Sequence, residues 1–285
     1  MKKYLLNIFV LVILLSCNSA KEFNMSAMTY NVRYGLADDG ENSWEFRKES
    51  LVSQLNFYNP DIFGIQEGLP FQVKYIDSQL SKHSFIGKSR NGDGKGEYSA
   101  IFYNKDKFDV VEQYTFWLSP TPTKVSKGWD AAYPRICTYG LFKAKNTQQN
   151  FWVINTHLDH VGVNARKQSV HLILKKIKEI NGKNYPLIFM GDLNAEPESE
   201  PISNLKFKLH DSKEISVEKP FGPKGTFNAF KFNDSVNRRI DYIFISKNKT
   251  LKVTKYAVLS DSKDLKYPSD HLPVYIELTL TKETN

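Results

Sequence analysis

Met190-Gly191-Asp192-Leu193-Asn194 follows the apolar run Tyr185-Pro186-Leu187-Ile188-Phe189, and this stretch decides how the chain is interpreted. The pattern predicts a buried strand that ends in a turn, with a carboxylate and a carboxamide at its end. Such a pair can hold a hard cation or orient a water molecule. It also suits an ordinary turn, in which Asp and Asn bond their own backbone, so the motif gains meaning only from others like it.

Five other islands place catalytic residue types beside apolar segments. They are Thr29-Tyr30-Asn31-Val32, Gly64-Ile65-Gln66-Glu67, Asn155-Thr156-His157-Leu158-Asp159, Arg239-Ile240-Asp241-Tyr242 and Ser269-Asp270-His271-Leu272-Pro273. A charged side chain at the end of a buried strand is costly unless it is solvated, paired or bound to a metal. Each island alone is compatible with a turn or a cap, but together they indicate one polar site.

Strand geometry predicts which of these side chains share a cavity. Residues two apart on an extended strand point to the same side, so we expect His157 with Asp159, and Asp192 with Asn194, to face one site. A donor set of Asp, Glu and Asn oxygens without Cys favours Mg²⁺, Mn²⁺ or Ca²⁺ over zinc.

The apolar segments between the islands predict many strands and few helices. The predicted strands are Ala27–Val32, Ile62–Gln66, Ser99–Tyr103, Phe151–Thr156, Leu187–Met190, Ile240–Ile245 and Leu272–Leu280, and the predicted helices are Trp44–Tyr58, one from Pro70, and Ala165–Ile180. This ratio favours mixed sheets covered by helices over strictly alternating βα units. No segment after Ser26 is long enough to be a linker, and we expect one domain over residues 26–282.

The N-terminus has the pattern of an export signal. Lys2 and Lys3 precede the apolar stretch Tyr4–Leu15, which is shorter than the about 20 residues that a membrane-spanning helix needs. Leu14-Leu15-Ser16-Cys17 resembles a bacterial lipobox, and a plain secretory signal with an incidental cysteine is the alternative. We therefore expect residues 1–16 to be a signal peptide, and residues 17–25 to be a lipidated Cys17 and a spacer. The lipid would anchor an exported protein to the periplasmic or cell-surface face of a bacterial membrane.

The charge and cysteine content of the exported chain restrict its class. Without Lys2 and Lys3 the 39 basic residues become 37 against 31 acidic ones, which leaves about +6. This charge suits phosphate-bearing substrates, but it is not the concentrated stripe of a dedicated nucleic-acid binder. Cys137 would then be the one remaining thiol, so we expect stability to come from core burial rather than from disulfides.

The islands, in this order, resemble the endonuclease/exonuclease/phosphatase superfamily of metal-dependent phosphoesterases. The resemblance extends from about Met28 to Leu280 and rests above all on Gln66-Glu67, Gly191-Asp192-Leu193-Asn194 and Ser269-Asp270-His271. It implies an α/β fold of four layers, α/β/β/α, in which two mixed β-sheets pack face to face with helices outside.

The resemblance also implies a metal site and a phosphate site. Glu67 would be the principal Mg²⁺ ligand, with Asn31 and Asp270 close to the same ion or its waters, and Mn²⁺ is the alternative cation. His157 would contact the phosphate. Arg135 is a candidate for binding substrate, or for pairing with a core carboxylate.

The remaining implied roles are catalytic. Asp192 would orient and deprotonate the attacking water, and Asn194 would fix its geometry. His271 would bond a phosphate oxygen, and Asp241 would hold its imidazole in the useful tautomer. Asp159 is a candidate for substrate binding or, equally, for a structural hydrogen-bonding role.

Three polar segments are expected to be loops, namely Lys88–Glu97, Ser119–Asp130 and Glu218–Lys231. The first is Gly-rich but lacks the strand-then-helix setting of a nucleotide-binding turn, so we interpret it as a mobile rim loop. Phe227, in the third, is a candidate for a substrate wall.

The resemblance implies a metal-dependent phosphoric ester hydrolase, a phosphodiesterase or phosphatase that cuts an exogenous phosphoester by in-line attack of water. The substrate classes left open are nucleotides, nucleic acids, sugar phosphates and lipid head groups. An extracellular nuclease on DNA or RNA and a sphingomyelinase-like phospholipid phosphodiesterase are alternatives. A lipid-tethered binding protein with a degenerate site is the alternative from outside the enzymes, and the complete acidic and histidine set disfavours it. We expect a monomer.

Overall fold

The computed structural model describes residues 22–281, so the proposed signal peptide and Cys17 lie outside the described part of the chain. Within residues 22–281 the strands are β1 (Phe23–Asn31), β2 (Ile62–Gln66), β3 (His83–Ile86), β4 (Ile101–Asn104), β5 (Phe108–Trp117), β6 (Ile136–Ala144), β7 (Asn150–His157), β8 (Leu187–Asp192), β9 (Leu209–Asp211), β10 (Asp241–Ser246), β11 (Leu251–Val258) and β12 (Val274–Leu280). The α-helices of the same range are α1 (Trp44–Tyr58), α2 (Pro70–Gln79), α3 (Val163–Ile180), α4 (Glu200–Lys208) and α5 (Ser212–Ile215), with a 3₁₀ turn at Gly40–Asn42.

The strands form two six-stranded sheets. The first has the order β11-β12-β1-β2-β4-β3, and the second has the order β5-β6-β7-β8-β10-β9. Each sheet is mixed, because β1 and β2 run parallel in the first and β7 and β8 run parallel in the second, while the other pairs are antiparallel. The predicted mixed sheets are therefore confirmed.

Three apolar clusters separate four layers. One lies between the two sheets and includes Ala27, Ile188 and Ile276. A second lies beneath α3 and α4, and a third lies beneath α1 and α2. The arrangement is the predicted α/β/β/α sandwich, in which each sheet buries one face against the other sheet and one against helices.

Sequence periodicity explains the elements that were predicted most closely. Helix α1 has the predicted bounds, and it ends where Asn59 adopts a left-handed conformation just before Pro60. In β12 the alternating side chains of Val274, Ile276 and Leu278 are buried, which is what a strand with one face on the core requires. Among residues 22–281, the structure contains no helix that is long and apolar enough to cross a membrane.

Candidate active site

The site lies where the central parallel strands of both sheets end. β1 and β2 end at Asn31 and Gln66, and β7 and β8 end side by side at His157 and Asp192. Asp241, the first residue of antiparallel β10, pairs directly with Asp192. The two sheets therefore deliver polar side chains to one edge of the sandwich, which is the arrangement that the six islands predicted.

Asn31 connects the two sheets at the bottom of the site. Its side-chain amide nitrogen donates to Glu67 Oε1 at 3.0 Å and to Asp192 Oδ2 at 2.9 Å. Its Oδ1 accepts from the backbone N–H of Arg33 at 3.0 Å. Glu67 follows β2 in a left-handed conformation with a φ of 63°, and its Oε2 accepts from the Tyr34 N–H at 2.7 Å. One amide thus fixes the separation of a carboxylate from each sheet.

Asp192 is almost fully buried, and its oxygens have distinct partners. Oδ1 accepts the backbone N–H of Asn194 at 2.9 Å, while Oδ2 faces Asn31, His157 Nε2 at 3.5 Å and His271 Nε2 at 3.8 Å. Burial, reinforced by the neighbouring Asp241 carboxylate, raises the pKa of Asp192 to about 7. A carboxyl group with such a pKa is suited to proton transfer near neutral pH.

The glycine before Asp192 is required by close packing of the strands. Gly191 has a φ of 151°, and a Cβ atom there would lie 2.0 Å from the carbonyl oxygen of Thr156 on β7. Asn194, with a φ of 46°, turns the chain back so that its amide lies 3.1 Å from His157 Nε2. The Gly-Asp-x-Asn motif is therefore a strand end and a turn, as predicted, with its polar side chains directed into the site.

His271 and Asp241 form a buried pair. Nδ1 of His271 donates to Asp241 Oδ2 at 2.9 Å, which leaves Nε2 directed toward Asp192. Burial opposes protonation of the imidazole, but the Asp241 and Asp192 carboxylates outweigh it and raise the pKa of His271 well above its usual value. The hydroxyl of Thr226 accepts the backbone N–H of Asp241 at 3.1 Å and so anchors the start of β10.

Arg135 determines the tautomer of His157. Its Nη1 donates to His157 Nδ1 at 3.1 Å, and since a guanidinium cannot accept, the imidazole proton must lie on Nε2, where the nearby acceptor is Asp192 Oδ2 at 3.5 Å. Burial and the Arg135 charge lower the pKa of His157 well below its usual value, which keeps the ring neutral. Arg135 Nη2 also lies 3.0 Å from His160 Nδ1.

Asp159 lies behind Arg135 and does not line the cavity. It accepts from Arg135 Nε at 3.1 Å and from the backbone N–H groups of Ala132 and Gly162 at 3.0 and 2.8 Å. The structure thus places Asp159 in the structural role that the sequence left as one of two alternatives. Its carboxylate positions Arg135, which does line the cavity.

A cavity of about 600 Å³ opens above these residues. We call the set Asn31, Glu67, His157, Asp192, Asp241, Asp270 and His271 the floor. We call the set Arg90, Glu97, Tyr133, His160, Phe227 and Arg238, all of which line the cavity, the rim. Phe227 contacts His271 edge to face, with ring centroids 5.0 Å apart, so an aromatic ring lines the cavity, and its role as a substrate wall stays a prediction.

Most of the rim was missed at the sequence level. Arg90 and Glu97, in the Gly-rich loop, form an ion pair with two contacts of 2.8 Å, and burial raises the pKa of Glu97 to about 7. His160 belongs to none of the predicted functional residues, and it lies parallel to the Tyr133 ring at a centroid distance of 6.0 Å. The one available signal was that Arg90, Glu97 and Tyr133 fall in or beside polar segments expected to be loops.

The floor has the composition that a hard divalent cation requires. Ligand atoms of Glu67, His157 and Asp192 lie within 4.8 Å of one another. Asp270 is buried, its nearest cation is Arg33 Nη1 at 3.6 Å, and burial raises its pKa. Buried carboxylates whose negative charge is incompletely compensated fit a cation bound by oxygen ligands.

Comparison with known proteins identifies the class. The model of the Endonuclease/Exonuclease/phosphatase family matches residues 28–271, and the chain belongs to this family. Members of this family hydrolyse phosphoesters, typically with a divalent metal.

Among solved structures, an endonuclease/exonuclease/phosphatase family protein from Bacteroides thetaiotaomicron is 37% identical with a TM-score of 0.87, covering 92% of this chain and 100% of that one. A mannosyl-6-phosphatase from B. thetaiotaomicron VPI-5482 is 39% identical with a TM-score of 0.84, covering 89% and 99%. Human nocturnin is 22% identical over 85% of this chain, which spans 60% of the length of that relative.

Proposed function

We propose that this protein is a divalent-metal-dependent phosphatase that acts on a small phosphomonoester of the sugar-phosphate class. The observation that carries the proposal is the convergence of Glu67, Asp192 and His271 from both sheets on one floor. The compact cavity above this floor and the similarity to a mannosyl-6-phosphatase support the substrate class.

Glu67 and Asp270 would hold the cation, which we propose to be Mg²⁺, with Mn²⁺ as a substitute. Asn31, expected close to the same ion or its waters, donates its amide N–H groups to Glu67 and Asp192, so we propose that it positions the Glu67 carboxylate rather than binding the ion itself. When bound, such an ion neutralises charge on the phosphate oxygens and stabilises the leaving oxygen. Carboxylate ligands suit these two ions better than zinc.

Asp192 would accept the proton of the attacking water. The Asn194 N–H and the Asn31 amide hold one oxygen each, so the carboxylate has a fixed orientation before substrate binds. A fixed base and a fixed phosphate place water for attack opposite the leaving alkoxide, which lowers the entropic barrier of the reaction.

Two imidazoles would bond the phosphate oxygens. Asp241 holds His271 with Nε2 facing inward, and Arg135 holds neutral His157 with its proton on Nε2. Both donors are directed before substrate binds, which favours stabilisation of the charge that develops on the phosphate.

We further propose that a lipid on Cys17 tethers the enzyme with its cavity facing away from the membrane. Phe23, at the start of β1, is the sixth residue after Cys17, so six residue steps allow a reach of at most about 22 Å. Asn31, eight residues further along β1, lies about 26 Å from Phe23. A site at the distal end of β1 favours a water-soluble ester over a phospholipid of the same membrane. Cys17→Ser should release the enzyme into the soluble fraction, and unchanged membrane association would contradict the tether.

The test measures hydrolysis of four substrates in parallel: inorganic phosphate released from mannose 6-phosphate and from nucleotides, strand cleavage of DNA, and phosphocholine released from sphingomyelin vesicles. We expect hydrolysis of the sugar phosphate with Mg²⁺ or Mn²⁺, loss of activity with EDTA, and no activity in Glu67→Gln. Faster cleavage of DNA or sphingomyelin would replace this proposal with the nuclease or phospholipase alternative. No hydrolysis of any substrate by folded protein would rule out the enzyme.

A further inference from the structure

We propose that Arg90 and Glu97 form a subsite for substrate hydroxyl groups, so that the enzyme selects phosphate esters of polyhydroxylated alcohols. This inference rests on the proposed phosphatase function and names what lies beyond the phosphate. Both residues line the same cavity as Asp192 and His271, and a narrow cleft joins them to Arg135 and His157.

The pair has unused hydrogen-bonding capacity. Glu97 Oε2 accepts Arg90 Nη1 and Oε1 contacts Arg90 Nη2, both at 2.8 Å, and each carboxylate oxygen can accept a second hydrogen bond. The Arg90 guanidinium likewise retains N–H groups beyond those directed at Glu97. Their side chains remain 14% and 12% exposed, so the unused sites are accessible from the cavity.

Glu97 offers a hydrogen-bond acceptor beside the donors of Arg90. This combination suits a hydroxyl group, which can both donate and accept a hydrogen bond. When ionised, which is the predominant form above about pH 7, the Glu97 carboxylate would repel a second phosphate, and this disfavours bisphosphates and the flanking phosphates of a nucleic acid at this wall. The neighbouring ring of Tyr133 already has two stacking partners. The Arg90 guanidinium carbon lies 4.9 Å from the centroid of this ring, and the His160 ring stacks on it with the centroids 6.0 Å apart. These contacts compete with stacking of a nucleobase, so hydroxyl recognition is the better fit.

Backbone contacts hold this wall in place relative to the floor. The N–H of Arg90 donates to the carbonyl of Glu97 at 2.9 Å, and the Trp117 indole N–H donates to the carbonyl of Arg90 at 2.7 Å. The Tyr98 N–H donates to the carbonyl of Gly68, the residue after Glu67, at 2.8 Å. The base of the Gly-rich loop is therefore fixed beside the proposed metal ligand, as a preorganised subsite requires.

The experiment compares two primary phosphate esters that differ in their hydroxyl groups, mannose 6-phosphate and cyclohexylmethyl phosphate. Wild type should prefer the sugar ester. Glu97→Gln should lower kcat/KM for mannose 6-phosphate by about 10- to 100-fold, the range for hydrogen bonds to charged groups. The same variant should lower kcat/KM for cyclohexylmethyl phosphate by less than about threefold, since that ester makes no such bonds.

Two further variants make the test decisive. Arg90→Lys keeps the charge but loses the planar fork, and it should reproduce the selective loss. Asp93→Asn removes an exposed charge from the same loop and should leave both substrates unaffected. Equal loss on both substrates, or no loss on either, in folded Glu97→Gln would overturn the subsite while the phosphatase stands. Failure of wild type to hydrolyse either ester would overturn the proposed function and the subsite together.

Discussion

The floor and the rim of this cavity are built from different parts of the fold. Floor residues lie at or beside the ends of buried strands, and the carboxyl and imidazole groups of Asp192, Asp241 and His271 are no more than 5% exposed. Rim residues lie in loops, and Tyr133 is 50% exposed. The difference teaches that regular structure fixes the groups that we propose carry out the chemistry, while loops supply the groups that we propose contact the rest of the substrate.

The largest expected effect is on the floor, in Asp192→Asn. An amide keeps the shape of the side chain but cannot accept a proton, so kcat should fall by about 1,000- to 10,000-fold. The loss should be the same for sugar and alkyl phosphates, because in our proposal the floor contacts only the reacting phosphate. Steady-state kinetics with saturating Mg²⁺ measures this, with Asp93→Asn as the matched control. A loss confined to one substrate would break the distinction between floor and rim.

The floor was predictable because strand ends leave a strong sequence signal. Glu67, Asp192 and His271 each stand beside an apolar run that can only be a strand or its immediate flank. Where such a strand ends, a charged residue is conspicuous, because burial would otherwise exclude it. The face-to-face packing of two sheets was implied by the resemblance to a family rather than by the residues alone, and the pairing of β1 with β2 and of β7 with β8 was not predicted.

The rim was not predictable, because loops carry no periodicity that fixes their partners. Arg90 and Glu97 are seven residues apart in a Gly-rich segment, and their pairing depends on contacts with Gly68 and Trp117 that are distant in sequence. Strand β5 was also missed, because exposed residues interrupt its apolar pattern. Strands β3, β6, β9 and β11 and helices α4 and α5 were missed as well, and since β6 is almost entirely buried, local pattern did not identify every buried element.

Asp159→Asn tests the link between floor and rim, because Asp159 holds Arg135, which contacts His157 of the floor and His160 of the rim. Its expected effect is intermediate. Arg135 would lose its buried partner, so the free energy of unfolding should fall by about 3 kcal/mol at pH 7, and kcat by about tenfold through His157. The control is Asp109→Asn, which removes an exposed carboxylate paired with Lys145 and should cost less than about 1 kcal/mol.

The pH dependence of Asp159→Asn has a defined sign. Burial opposes ionisation, but backbone N–H groups and Arg135 outweigh it and hold the pKa of Asp159 below its usual range. Its stabilising contribution is therefore complete above the unfolded pKa of about 4, and it is lost as the pH falls through the folded pKa. Urea unfolding should show the wild-type advantage at pH 7 shrinking below about pH 4. An advantage that stays constant under acid would mean that packing, not charge, holds Arg135.

The smallest expected effect on stability is at the rim, in Glu97→Gln. Its pH dependence has the opposite sign to that of Asp159→Asn. Burial raises the pKa of Glu97 to about 7, so the folded protein holds a proton there that the unfolded chain releases above about pH 4.5. This residue therefore contributes stability below the unfolded pKa, and the contribution declines as the pH rises toward 7. We expect wild type to lose stability relative to Glu97→Gln as the pH rises from 5 to 8, by on the order of 1 kcal/mol of unfolding free energy. The measurement is made in EDTA. A shift in the other direction would show that the Arg90 charge affects the pKa of Glu97 more than burial does. Glu97 and Asp159 would then both have pKa values lowered by a neighbouring arginine.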